Sequence, residues 1–171
     1  MFKNLTKLFI MLLSGMVTAQ LAAAADADVI REARDRAAIQ QLEWNYVRAL
    51  DSFNSDAYAA TYTKDGQFIA GGNAVKGHEA LKKMIDDYRK DREERTAKGE
   101  AVPPMNHVMT NEYLEFIDRD HARLHSYWMT VFGAVGQDIQ PRVAASGRGI
   151  DELVRVNGKW LIKLRNVAPQ D

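Results

Sequence analysis

The chain has 171 residues, with 23 basic and 23 acidic side chains and no cysteine. A domain of roughly 150 residues buries about 68–70% of its unfolded surface, so burial can hold this one together without disulfides. Balanced charge gives no electrostatic footprint for nucleic acid or an anionic membrane surface, and neither is expected as a partner.

At the N-terminus Lys3 and Lys7 precede an apolar stretch from Leu8 to Val17, followed by Leu21-Ala22-Ala23-Ala24-Ala25 and acidic Asp26. Positive, apolar and small residues in that order make a secretory signal, and the apolar stretch is short for a bilayer span. Residues 1–25 are therefore expected to be a signal peptide and 26–171 a single domain, periplasmic or secreted. Without a cysteine at the cleavage region a lipid anchor has no attachment atom.

Asp28 to Phe53 reads as a long helix, because Ile39, Leu42, Tyr46, Val47 and Leu50 recur at helical spacing between polar faces. Asn54 offers a cap for a short second helix through Tyr58 and Tyr62. Asp65-Gly66 reads as a turn, Gln67 to Ala70 as a strand, and Gly71-Gly72-Asn73 as another turn. A third helix opens at Gly77-His78-Glu79, with Leu81, Met84, Ile85 and Tyr88 on one face and mixed charges from Lys82 to Arg95 on the other.

From Asn106 the pattern changes to strands: Val108 to Ile117, Ala122 to Val135, Val143 to Val156 and Lys159 to Val167. Asn157-Gly158 is a two-residue hairpin signal. Helices followed by a meandering antiparallel sheet imply an α+β fold with segregated layers, the helices covering one face of a strongly bent sheet.

Among the four histidines, His78 is expected at the surface of a helix start and His121 in a solvated turn. His125 lies within a strand and can line a cavity or be half-buried. His107 opens a strand after Pro103-Pro104-Met105-Asn106, where one ring nitrogen can face a ligand while the other meets a carboxylate. Asp51 is a candidate for that carboxylate, since it ends the apolar stripe of the first helix where the macrodipole disfavours a structural acid. Such a pair fixes the imidazole tautomer and makes a general base. The alternative reading makes Asp51 a cap for the following turn and His107 a strand-edge histidine. Tyr46 can either hydrogen-bond a substrate oxygen or serve as helix core.

No short spacing of His and carboxylate supports a metal, no Gly-x-Ser-x-Gly supports a nucleophilic serine, and Gly147-Arg148-Gly149 lacks the further glycine and following helix of a nucleotide loop. No metal or other cofactor is expected.

The run Arg36 to Leu42 leading to Asp51, then Asp65, Gly77 with Glu79-Ala80-Leu81, His107 with Thr110-Asn111, and Asp151-Glu152-Leu153 with Asn157 to Trp160, resembles the SnoaL-like branch of the nuclear transport factor 2-like superfamily. That resemblance implies a cone of three helices packed on a strongly curved, mixed, mostly antiparallel sheet enclosing a hydrophobic pocket. It is similar in these motifs to scytalone dehydratase, bile-acid dehydratase and hexachlorocyclohexane dehydrochlorinase, which pair an Asp at the end of the first helix with a His opening a strand. Asp51 and His107 fall on those positions, and Tyr46 on a tyrosine of the bile-acid enzyme. Arg155 is similar in placement to an arginine of the dehydrochlorinase. Phe132 stands where scytalone dehydratase has a second histidine.

The expected activity is a cofactor-independent lyase or isomerase working on a small apolar ring compound, with His107 as base, Asp51 orienting it, and Tyr46, His125 or Arg155 contacting the substrate. A non-catalytic ligand-binding or interaction module of the same fold is the alternative. The resemblance also implies a homodimer through the exposed face of the sheet.

Overall fold

The computed structural model describes the backbone of residues 2–136 and 139–169, and side chains from residue 26 onward. The side chains on which the signal-peptide reading rests, those of residues 1–25, lie outside the described residues.

Among the described residues nine elements follow one another: α1 (Phe2–Asp51), α2 (Ser55–Ala60), β1 (Tyr62–Ala70), β2 (Asn73–Lys76), α3 (His78–Ala97), β3 (Met105–Phe116), β4 (His121–Phe132), β5 (Arg142–Val156) and β6 (Lys159–Asn166). The chain divides after Ala37, and the compact unit Ala38–Asp171 carries everything described below.

Phe53, with φ of 53°, breaks α1 from α2. The side chain of Asn54 then accepts the Ala57 N–H at 3.0 Å, satisfying one of the orphan donors that every helix start exposes. Gly77, with φ of 83°, supplies the left-handed turn into α3, a backbone conformation that costs glycine little, and its N–H donates to the Gly66 carbonyl at 2.8 Å.

The six strands lie in the order β2-β1-β6-β5-β4-β3. β1 and β6 are parallel, whereas β1–β2, β3–β4, β4–β5 and β5–β6 are antiparallel. The sheet is thus mixed, curled and open, with β2 and β3 at its edges. Buried Leu42, Tyr46 and Leu50 of α1 join Tyr58 of α2, Leu81 and Ile85 of α3, and Leu124, Leu153 and Ile162 of the sheet in one core.

Three readings of the sequence change, the first being that Tyr62 opens β1 and does not belong to α2, which ends at Ala60. Asp65-Gly66 is not a turn between elements but an irregularity within β1, where the parallel register to β6 shifts between Tyr62 and Gln67. Gly71-Gly72 turns the chain into β2, a short edge strand whose four residues were too few to show a period. A second irregularity matters for the site: Asn111, with φ of 51°, bulges β3 where its register shifts. A bulge reverses the alternation of faces, so Met105, His107 and Met109 point inward before it and Leu114 and Phe116 after it.

Candidate active site

Asp51 is the last residue of α1, one position beyond the buried Leu50. A carboxylate at the negative end of a helix needs donors from elsewhere. β3 provides two from one residue: Asp51 Oδ1 accepts from His107 Nδ1 at 2.7 Å and from the His107 backbone N–H at 3.1 Å. The two side chains are 10% and 19% exposed respectively. With the Nδ1 proton committed to Asp51, the lone pair of the neutral ring sits on Nε2. That nitrogen has no hydrogen-bond partner among the described residues.

His107 opens onto two adjoining spaces. An inner chamber of about 170 Å³ lies over the concave face of the sheet, and an outer chamber of about 340 Å³ extends past α3. Both are lined by Tyr46, Leu50, Phe68, His107 and Thr130, which form the waist between them.

The walls of the inner chamber depend on two glycines. A Cβ at Gly147 would come within 2.7 Å of Trp128 Cζ2, so the missing side chain lets the indole lie flat across β5. Trp128 Nε1 is anchored to the Val167 carbonyl at 2.9 Å. At Gly149 a Cβ would press on Ser126 Oγ at 3.2 Å.

Below the chamber lies a buried charge network that the reading of the sequence did not include. Arg165 Nε donates to Asp151 Oδ1 at 2.8 Å, while Nη2 contacts both Asp151 Oδ2 and Glu43 Oε2. The guanidinium sits 3.7 Å from the centre of the Tyr46 ring. Burial pushes Glu43 up to about 7 against the opposing pull of Arg165, with Asp151 adding to the rise. Burial likewise raises Tyr46, partly offset by Arg165, so it remains a neutral phenol able to donate. Tyr58 and Tyr62, whose hydroxyls meet at 3.2 Å, are raised well above the usual phenol range by burial.

One signal for this network was present in the sequence. Glu43 lies four residues after Ile39 and three before Tyr46, on the apolar face of the helix, where an acid requires a buried partner. Nothing comparable marked Arg165, and Asp151 stood out in the sequence only within the Asp151-Glu152-Leu153 motif of the resemblance.

Of the expected site residues, His107 and Tyr46 line the waist, and Asp51, which lines neither chamber, is bonded to His107. His125 does not line either chamber: β4 sends Ser126, Trp128 and Thr130 inward, and strand alternation puts His125 on the opposite face beside Tyr113, 6.1 Å away between rings. Arg155 is likewise elsewhere, stacked 4.6 Å from the Trp160 ring centre and bonded to Asp120 Oδ1 at 3.2 Å near the β5–β6 hairpin. The arginine that lines the inner chamber is Arg165, on the strand after that hairpin. His78 is partly buried rather than exposed, its Nε2 3.0 Å from the Tyr62 carbonyl. His121 is exposed and paired with Asp118, as a turn histidine should be. Among the described residues no group of three metal-ligating side chains converges.

The model of the SnoaL-like domain matches residues 31–166. No curated protein matches the chain. A Mycobacterium tuberculosis protein of unknown function superposes with a TM-score of 0.69 at 22% identity, covering 83% of this chain and 75% of its own. A Novosphingobium aromaticivorans protein, described as NTF2-like with a cystatin-like fold, gives 0.68 at 20% identity over 85% of this chain and 88% of its own. A Catenulispora acidiphila protein solved in complex with S-DNPA gives 0.63 at 23% identity over 78% and 91%. At these identities the three structures speak to fold, and the family match speaks to descent: the chain belongs to the SnoaL-like domain family.

Proposed function

We propose that the protein is a cofactor-independent, dehydratase-like lyase acting on a small, largely apolar ring compound, with Asp51 and His107 as its general-base dyad. The observation that carries this reading is the 2.7 Å bond from His107 Nδ1 to Asp51, made where His107 faces both chambers. His107 Nε2 removes a carbon-bound proton from the ring. The hydroxyl on the neighbouring carbon departs, taking that proton back from the imidazolium to leave as water, while the electrons of the broken C–H bond become the new double bond. Tyr46, held neutral by burial, donates to the substrate oxygen on which charge collects. An isomerase would share the first step and return the proton to another carbon.

Apolar Leu50, Phe68, Met109 and Trp128 around the waist and inner chamber favour a ring with few polar groups. The ligand in the Catenulispora structure supports small-molecule binding as a use of this fold. We further take the enzyme to act outside the cytoplasm as a homodimer. N-terminal sequencing of the exported protein and gel filtration test those two points, and an intact Met1 or a monomer would overturn them.

The central test is a screen of the purified protein against hydroxylated, halogenated and keto ring compounds, with His107→Ala as control. Removing a general base should lower turnover by about 10²–10⁴-fold while the circular dichroism spectrum is kept. Undiminished turnover by His107→Ala ends the proposal. Binding of ring compounds without turnover by the wild type points to the non-catalytic module instead.

A further inference from the structure

Most polar groups around the inner chamber are already committed to other parts of the protein. His107 Nδ1 is held by Asp51, and Trp128 Nε1 donates to the carbonyls of Arg148 and Val167 at 3.1 and 2.9 Å. Two hydroxyls of β4 are different: Ser126 Oγ and Thr130 Oγ1 line the chamber and have no hydrogen-bond partner among the described residues. Ser126 is only 5% exposed. A buried hydroxyl without a partner costs stability, so the fold itself gains nothing from a serine in this place.

Gly149 is what leaves that hydroxyl uncovered. The two residues face each other across β4 and β5, and a Cβ on Gly149 would stand 3.2 Å from Ser126 Oγ. Any larger side chain on β5 would close over the oxygen, whereas glycine leaves it open to the chamber.

The position of Ser126 along the strand says which part of a ligand it meets. Thr130 pairs with His107 at the waist, and Ser126 lies about 13 Å further along β4, where it borders the inner chamber alone. The Trp128 indole lies between them. This row, with a free hydroxyl at each end and an apolar platform in the middle, matches a ring that carries oxygen at both ends. At about 170 Å³ the chamber has room for one six-membered ring, since cavities of about 150 Å³ accommodate benzene. The inner oxygen must be neutral. Arg165 is spent on Asp151 and Glu43, so no cation is left to hold an anion, and both Asp151 oxygens are on Arg165, so no carboxylate is left to hold a cation.

We propose that Ser126 is a substrate-binding residue, whose hydroxyl takes a neutral oxygen, an alcohol or a ketone, on the ring carbon opposite the one that bears the leaving group at the waist. This rests on the inner chamber being the ligand site of the proposed lyase, and it narrows the substrate class to six-membered rings oxygenated at opposite ends.

Two stable probes of one shape test it: trans-cyclohexane-1,4-diol and trans-4-methylcyclohexanol, which differ by a hydroxyl against a methyl at the far carbon. Their dissociation constants are measured by NMR titration on wild type and Ser126→Ala, and the readout is the ratio of the two. Loss of one neutral hydrogen bond should shift that ratio about three- to tenfold against the diol in Ser126→Ala. A crystal structure of the wild type with the diol, showing one ring oxygen within hydrogen-bond distance of Ser126 Oγ, gives the same answer should Ser126→Ala not fold. Absence of diol binding, an unchanged ratio in Ser126→Ala, or a bound diol with neither oxygen on Ser126 would each overturn the proposal. Neither probe depends on turnover, so this subsite and the base are judged separately. A ratio that shifts while His107→Ala keeps full activity on a substrate from the screen retains the subsite and removes the base; an unchanged ratio with activity lost in His107→Ala does the reverse.

Discussion

Asp51→Ala tests the geometry of the waist before any substrate is known. The carboxylate serves the His107 ring and the His107 backbone N–H, at 2.7 and 3.1 Å, and it is mostly buried. A hydrogen bond to a charged group contributes about 1.5–3 kcal/mol. Both donors share Oδ1, so the two contributions fall short of additive. Removing a carboxylate from a helix C-terminus returns about 0.3–1 kcal/mol. The expected net loss is about 2–3 kcal/mol, read from urea unfolding as a lower midpoint with unchanged slope. A double-mutant cycle with His107→Ala isolates the ring contact, because the backbone bond to β3 survives loss of the imidazole. It should give a coupling of about 1–2 kcal/mol. A coupling of zero, or Asp51→Ala within about 0.5 kcal/mol of wild type, would mean that these two side chains do not meet in solution.

Three further outcomes follow from other parts of the site. Gly147→Ala puts a methyl group 2.7 Å from the Trp128 indole and should cost about 1–3 kcal/mol with a changed tryptophan emission, whereas unaltered stability and emission would place Trp128 elsewhere. Tyr46→Phe keeps the ring on Arg165 and should leave stability within about 1 kcal/mol while lowering turnover about tenfold or more; full activity would remove Tyr46 from the mechanism. Glu43 is raised from 4.5 to about 7 in the fold, so its unfolded form releases a proton first and stability falls as pH rises across that window. The loss by neutral pH is about 3 kcal/mol relative to acid, and thermal unfolding of wild type against Glu43→Gln should diverge between those values; parallel profiles would refute the assignment.

Much of the fold was legible because its periods are long and its punctuation is chemical. α3 begins at His78 beside the glycine that must turn left-handed, and Asn54 caps α2 as its side chain allows. Asn157-Gly158, both at positive φ, close the β5–β6 hairpin. β2 was missed because four residues carry no period, and the parallel pairing of β1 with β6 cannot be read from local pattern, since it joins segments about a hundred residues apart.

The site divides in the same way. Asp51 and His107 stood out because each is out of place in its element, an acid at a helix exit and an imidazole at a strand start. His125 and Arg155 were chosen on placement, and the pleat of β4 and the hairpin of β5 send them away from the chambers. Arg165 and Asp151 escaped notice because a buried ion pair between neighbouring strands looks in sequence like ordinary surface charge. The bulge at Asn111, which decides that His107 faces inward with Met109, becomes visible only once β3 is paired with β4.

Exchange of the substrate's carbon-bound hydrogen with solvent deuterium, followed by NMR on a ring compound found in the screen, reports proton abstraction without requiring elimination to finish. The wild type should incorporate deuterium at the carbon next to the leaving group, and His107→Ala should do so at least about 100-fold more slowly. Exchange by His107→Ala at the wild-type rate would show that another group removes the proton and that the imidazole at the waist is not the base.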